Sequence, residues 1–442
     1  MSTIAAPIRR PDHPMTLTSD ATALIQRRDR AFGAGARLFY DEPLHLVRGE
    51  GCHVFDAEGR RYVDMYNNVP CVGHAHPRVV EAMAHQQATL NTHNRYLHEG
   101  AIVLAERLTA LQGVTECVVF SCSGTEAVEN ALRMARFATG ARGIICTNAT
   151  YHGSNAWVGG LTRVGEHGPS DPDARAIPFP EILRPITPGL SGEALTGAYL
   201  ARLDAAIDDL KQSGSGFAAL ILCSILANEG LPNLPPDFMA SAAQRVRAAG
   251  GLMIADEVQA GYGRTGQWWG YDATGFIPDI VVTGKPMGAG LPLAATAASR
   301  AVVERFRAET RYFNTFASSP LQAAVGLAVL DIIEQEGLID NVALVGKALK
   351  KALAERKPAW DAIIDVRGTG LFLGIELVDK TGAPSADLAF DMVCRLRRKG
   401  FLVSNAGIFG NVVKIRPPLV FSMADGEAFL DAFDQVVADQ RG

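Results

Sequence analysis

The sequence predicts an α/β protein: a large domain with a mostly parallel central sheet flanked by helices, and a smaller α+β domain formed by the N- and C-terminal segments. Three observations predict it. Between Cys117 and Thr283 short apolar strands alternate with helical spacings, the pattern of a mostly parallel sheet covered on both faces. Runs such as Leu252–Ala255 and Ile280–Val282 are apolar at every position, as strands buried on both faces are. Small, polar or charged residues then follow the strands, where ligands bind in such sheets. The expected boundaries are 1–80 for an N-terminal arm and part of the small domain, 81–325 for the large domain and 326–442 for the C-terminal small domain.

The elements follow in order. Met1 to about Phe39 is polar and irregular, and reads as an arm. Leu44–Val63 alternates around the turn Asp56–Gly59, which predicts a hairpin. Arg78–Leu90 and Gly100–Leu111 repeat apolar residues at helical spacing. Strands are expected at Cys117–Phe120, Gly143–Thr147, Ala218–Leu226, Leu252–Ala255 and Ile280–Thr283. Helices are expected at Thr125–Thr139, Tyr199–Ser213 and Pro236–Ala249. The stretch Val164–Ala198 is rich in Pro and Gly and reads as a surface excursion. Beyond Pro320, helices are expected to Glu336, at Asn341–Glu355 and at Asp387–Lys399, with strands near Ile364–Arg367, Leu371–Leu377 and Lys414–Arg416. No internal repeat or low-complexity segment interrupts the chain.

Composition narrows the function. With 442 residues, 48% hydrophobic and 20% charged, the chain has ample material for a large core. A net charge of −5 without a basic run argues against nucleic acid or an anionic membrane as partner. The seven cysteines (52, 71, 117, 122, 146, 223 and 394) form no CxxC pair, which suggests reduced thiols and a cytoplasmic setting. Met1–Pro14 has no apolar stretch of the kind a signal peptide needs. The longest apolar run, Phe217–Ala227, falls far short of the roughly 20 residues that span a bilayer. The residues suggest no metal site.

Four motifs carry chemistry. Lys285 follows a β-branched strand and leads into a Gly- and Pro-rich loop, and Asp256 ends the preceding buried strand. A lysine for an aldehyde and a carboxylate for a ring nitrogen are the two groups pyridoxal phosphate requires. Asp256 alone is equally consistent with a salt bridge to an arginine, but a buried carboxylate needs some cationic partner. Glu257, next to it, points to the opposite face of the strand. Ser121–Ala127 places small residues at a strand-to-helix turn, either an ordinary N-cap or an anion site at a helix N-terminus. Tyr151, in Tyr151-His152-Gly153, suits either a sheet edge or the face of a planar ligand.

The ordered set Ser123–Ala127, Tyr151–Gly153, Asp256–Gln259, Gly284-Lys285 and Asn314–Phe316 resembles the class III aminotransferases, fold-type I enzymes dependent on pyridoxal 5'-phosphate. The likeness runs from about Leu44 to Arg416. It implies that Lys285 carries the cofactor and moves a proton, and that Asp256 keeps the ring nitrogen protonated. Val258 would pack behind the ring, Gln259 bond its phenolic oxygen and Tyr151 stack on the other face, with His152 beside them. Ser123, Gly124 and Thr125 would bind the phosphate. Thr315 would reach it from the neighbouring subunit of a homodimer, with a tetramer of two dimers left open.

Within the family, Tyr66–Val69, Val72–Pro77, Leu90–His98, Tyr312–Phe316 and Val413–Pro418 resemble the ethanolamine-phosphate phospho-lyase branch. Tyr66, Asn68, Arg95, Lys414 and Arg416 are the expected substrate residues, the last three as an anion site. The chain also departs from its relatives. Lys414 occupies the place of a mobile gate arginine, and Asn228 the place of its usual glutamate, which argues against 2-oxoglutarate as acceptor. Phe316–Pro320 and Asn228–Pro232 depart from the phospho-lyase pattern. The expected function is amino transfer from a small primary amine or amino acid to a 2-oxo acid such as pyruvate. The alternative is elimination of phosphate and ammonia from an O-phosphorylated amino alcohol. A silent binding protein is a third reading, and intact Lys285 and Asp256 speak against it.

Overall fold

The computed structural model describes residues 19–163 and 168–441. Its central sheet has seven strands. They are β4 (Cys117–Ser121), β5 (Gly143–Thr147), β6 (Ala174–Ile177), β7 (Phe217–Cys223), β8 (Leu252–Asp256), β9 (Ile280–Thr283) and β10 (Ala294–Ala298), in the order β4-β10-β9-β8-β7-β5-β6. All pairings are parallel except the two that β10 makes with β4 and β9. Two strands were not foreseen. Ala294–Ala298 is nearly all alanine and carries none of the bulky β-branched signal that marks its neighbours. Ala174–Ile177 is short and lies inside the stretch read as an excursion.

Helices cover both faces of this sheet, and the buried side chains divide into two large clusters, one including Leu220, Met253 and Val281, the other Ile221, Ile254 and Val282. Successive residues of one strand fall into opposite clusters, which is the alternation a twice-covered sheet demands. Among the described residues no helix is long and apolar enough to cross a membrane.

Two four-stranded sheets complete the fold. β1 (Leu46–Glu50), β2 (His53–Asp56) and β3 (Arg61–Asp64) form an antiparallel ribbon, and β13 (Phe401–Leu402) joins it parallel to β3. The Asp56–Gly59 turn closes as expected, with the Arg60 amide donating to Asp56 Oδ1 at 2.8 Å. The second sheet has the order β11-β12-β15-β14, from β11 (Ile363–Thr369), β12 (Phe372–Leu377), β14 (Ser404–Ala406) and β15 (Val412–Ile415). N- and C-terminal segments therefore share a sheet.

Some elements differ from expectation. Of the arm read as irregular, residues 1–18 lie outside the described residues, and Ser19–Phe32 is helical. Of the excursion, residues 164–167 lie outside, and a helix already begins at Gly192 rather than Tyr199. The C-terminal helix Met423–Arg441 was not anticipated.

One glycine shows how tightly the small domain is packed. Gly346 lies mid-helix in Leu338–Arg356, where glycine is less favourable than alanine by about 1 kcal/mol. A Cβ there would meet the Gly370 carbonyl oxygen at 2.2 Å, in the turn between β11 and β12. Backbone against backbone cannot yield, so Gly346→Ala is expected to destabilise by about 1–3 kcal/mol. A lowered urea midpoint would show it, while exposed Leu344→Ala should leave the midpoint unchanged.

Candidate active site

Five chain segments leave the carboxyl ends of the strands and converge. β8 delivers Asp256 and continues into Val258 and Gln259. Its neighbours in register are Cys223 of β7 and Val282 of β9, the latter three residues before Lys285. β4 leads through Ser123 into the helix Gly124–Thr139, and β5 leads to Tyr151 and His152. These residues line a cavity of about 290 Å³, together with Val69, Gly153 and the Gly290–Leu293 segment before β10.

Asp256 is buried, and its carboxylate is fixed on both oxygens. Oδ2 meets His152 Nδ1 at 2.6 Å, and Oδ1 accepts the Val258 amide at 3.1 Å. The other imidazole nitrogen faces Thr150 Oγ1 at 3.0 Å, so His152 is held at both ends. The reading of Asp256 as half of an arginine salt bridge does not hold here, because its partner is a histidine. Glu257 points the other way, as strand alternation requires. It accepts the Gly270 and Tyr271 amides at 2.7 and 3.0 Å, and burial raises its carboxyl to about 7.

Lys285 opens the single helical turn after β9. Burial holds its amine below the ordinary lysine range; Asp256 works against that shift and Arg416 adds to it. Such a lysine gives up its proton more readily than an exposed one.

At the first turn of Gly124–Thr139 both readings of the motif apply. Ser123 Oγ caps the helix by accepting the Glu126 amide at 3.2 Å, and Glu126 returns a bond to the Cys122 amide at 2.7 Å. The Gly124 and Thr125 amides have no acceptor among the described residues. Gly124 lies against Val258, and a Cβ there would approach both valine methyls at 3.1 Å. The glycine thus lets a helix N-terminus with free N–H groups sit at the cavity wall.

Two buried cations flank this cavity. Arg416 Nε donates to the Tyr66 carbonyl at 3.0 Å and Nη1 to Gln259 Oε1. Lys414 Nζ lies 6.0 Å from the Tyr66 ring centroid. Neither forms an ion pair among the described residues, although Lys414 is 6% exposed and Arg416 4%. Asn68 is buried next to Val69, and its Nδ2 has no partner among the described residues; the same holds for Asn228 Nδ2, while Asn228 Oδ1 meets Gln259 Nε2 at 3.5 Å.

Two expected site residues stand apart from this group within the single chain, as Thr315 would if it serves a neighbouring subunit. Arg95 does not join Lys414 and Arg416. It is exposed, with its guanidinium 4.1 Å over the Phe313 ring, and lines a separate cavity of about 620 Å³ with His93, Tyr96 and Leu97. Its cation–π partner is Phe313, and no contact joins it to Lys414 or Arg416 among the described residues. Thr315 is exposed and does not line the cavity of its own chain. Conversely, Cys223 and Gly290–Leu293 were not foreseen as lining. Only the β7–β8 register reveals Cys223, since a lone cysteine at a strand end carries no signal in sequence.

The residues present fit pyridoxal phosphate. A fixed buried carboxylate, a lysine with a lowered pKa, free helix N-terminal amides and an exposed tyrosine ring surround one cavity of suitable size. Comparison with known proteins agrees. Residues 39–437 match the family described as aminotransferase class-III. A Drosophila melanogaster protein called alanine–glyoxylate aminotransferase 2-like is 37% identical, over 93% of this chain and 86% of its own. An ethanolamine-phosphate phospho-lyase homolog of Caenorhabditis elegans is 32% identical, over 94% and 93%. An Arthrobacter phospholyase solved in complex with phosphoethanolamine superposes with a TM-score of 0.90 and 38% identity, covering 94% of this chain and 99% of that one.

Proposed function

The chain belongs to the class-III aminotransferase family, whose members depend on pyridoxal phosphate, and we propose that it transfers the amino group of a small, negatively charged amine or amino acid to a 2-oxo acid such as pyruvate. The bound cofactor supplies an electron sink for the charge left when a proton leaves the amine-bearing carbon. The protein supplies the rest. Asp256 stabilises a protonated ring nitrogen, and the free amides of Gly124 and Thr125 with the Ser123 turn hold the phosphate. Val258 and Tyr151 take the two ring faces, and Gln259 the phenolic oxygen. Lys285 anchors the cofactor and carries the proton.

The observation that carries the substrate class is the pair Lys414 and Arg416. Two buried cations without a carboxylate partner beside a cofactor cavity suit an anion on the substrate. Arg416→Gln is expected to raise KM for an anionic substrate by roughly 10- to 100-fold, since a charge-assisted hydrogen bond contributes about 1.5–3 kcal/mol. An uncharged amine should be spared. Equal loss for both would refute the anion role.

A second reading is favoured by the amount of charge. One guanidinium suffices for a carboxylate; two buried cations suit a phosphate, and the phospholyase superposes closely. In that reading the same residues release phosphate and ammonia from an O-phosphorylated amino alcohol. Incubation with phosphoethanolamine, and with alanine plus pyruvate, separates the two. Free phosphate released without any 2-oxo acid would overturn transamination.

The active unit of this proposal is a homodimer. Leu97 is 98% exposed and Phe316 72%, with Tyr96 and Ile102 also open to solvent, an apolar surface that a second copy would cover. Thr315 sits beside Phe316, which suits its reaching the partner's phosphate site. Leu97→Asp should shift the mass in sedimentation towards the monomer. A cytoplasmic setting is supported by the seven cysteines, all free thiols.

A further inference from the structure

Lys414 is a buried amine at the site with no carboxylate partner among the described residues. It lies on β15 between Gly374 of β12 and Ser404 of β14, neither of which carries charge. The charged or titratable groups around it come from five other places. Arg416 follows two residues along and extends towards the same cavity. Arg163, exposed on the connection after β5, and Lys285, on the turn after β9, act on it through their charge. Cys223 stands at the end of β7, and the Tyr66 ring follows β3. Arg416 and Arg163 are cations, and none of the five is a carboxylate. The buried acids of the site are committed elsewhere: Asp256 to His152, Glu229 to Thr147 and Asp64 to His74. No acceptor lies within hydrogen-bond distance of Lys414 Nζ among the described residues.

A charged amine in such a place would be doubly penalised, by lost hydration and by like-charge repulsion. Both push its pKa well below the ordinary lysine range, burial first and Arg416 second. An arriving anion reverses both effects, because it supplies the missing counter-charge and the missing acceptor. Arg416, whose guanidinium stays charged, answers a single negative charge by itself. Only a second negative charge calls for Lys414.

We propose that Lys414 stands as an uncharged amine in the resting enzyme and takes up a proton from solvent as a doubly charged anion enters, so that dianion binding and protonation are one event. The balance is simple: amine, proton and dianion give an ammonium–dianion pair, with no other bond made or broken. The proposal rests on the anion-binding reading of Lys414 and Arg416, and it names the ligand class as a dianion such as a phosphomonoester. A monocarboxylate would bind through Arg416 and leave Lys414 neutral.

The test uses the holoenzyme and inorganic sulfate, a dianion that neither reacts nor titrates near neutrality. Titration calorimetry at mildly alkaline pH, in buffers of different ionisation enthalpy, counts protons taken up per sulfate. The cofactor's absorbance is followed in parallel, so that a proton it takes is counted separately. Wild type should take up about one proton at Lys414, and its sulfate affinity should fall by up to about tenfold per pH unit. Lys414→Arg should bind sulfate with no such uptake and a flat pH profile. Lys414→Met should also show no uptake, and serves if the arginine does not fold. Sulfate bound by wild type without proton uptake would overturn the coupling and leave the anion site standing. Uptake that persists in both variants would overturn it as well. No sulfate binding at all would remove the anion reading and this proposal together.

Discussion

Lys285→Ala should abolish turnover, with kcat reduced by about ten-thousand-fold or more, while the protein stays folded. Two contributions are lost at once. One is the covalent anchor that holds the cofactor carbonyl in place; the other is the group that takes a proton from carbon and returns it. A positioned general base alone accounts for roughly 10²–10⁴-fold. The lysine is also well placed for the task, since burial lowers its pKa and Asp256 limits the shift. Stability should not suffer, because among the described residues Lys285 makes no side-chain hydrogen bond or ion pair that its removal would break, and a desolvated amine is relieved. Matching thermal melts with and without the substitution would show this. A small exogenous amine such as methylamine should restore part of the rate, because it replaces the base but not the anchor. Activity within tenfold of wild type would remove Lys285 from the chemistry.

Much of this site was legible because strand ends are legible. Asp256 and Lys285 follow runs of buried apolar residues, and the pleat alone places Glu257 on the other face, where it caps the segment starting at Gly270. β10 escaped because Ala294–Ala298 packs tightly between two strands with side chains too small to announce a strand. Arg95 shows a different limit. Its neighbourhood in sequence resembles a substrate-binding motif, yet the distance between the Phe313 ring and β15 is set by the fold and cannot be read along the chain. The Asn228-Glu229 pair shows a third. Glu229 turns inward, where its carboxylate accepts Thr147 Oγ1 at 2.7 Å and burial raises its pKa. Asn228 instead faces Gln259, the residue that also holds Arg416. Sequence assigned Asn228 a place but could not reveal this chain of contacts from Asn228 to Gln259 to Arg416.

Asp256→Asn is the second large effect, and it separates charge from shape. The amide occupies the same volume and still presents one acceptor, but it carries no charge to stabilise a protonated ring nitrogen. Breaking a buried charge pair costs about 3–5 kcal/mol, so kcat should fall by roughly 10²–10⁴-fold. Substrate KM should change much less, because the anion site at Lys414 and Arg416 is built on another strand. His152 lets the argument go one step further. Its Nδ1 contact aims the carboxylate, and Thr150 at the other nitrogen fixes the ring, so His152→Gln should lose about tenfold by misdirecting a charge that is still present. Once Asp256 is neutral there is no charge left to aim, and the double variant should be little worse than Asp256→Asn alone. Losses that simply multiply would mean that His152 acts on the reaction by a route that does not pass through Asp256.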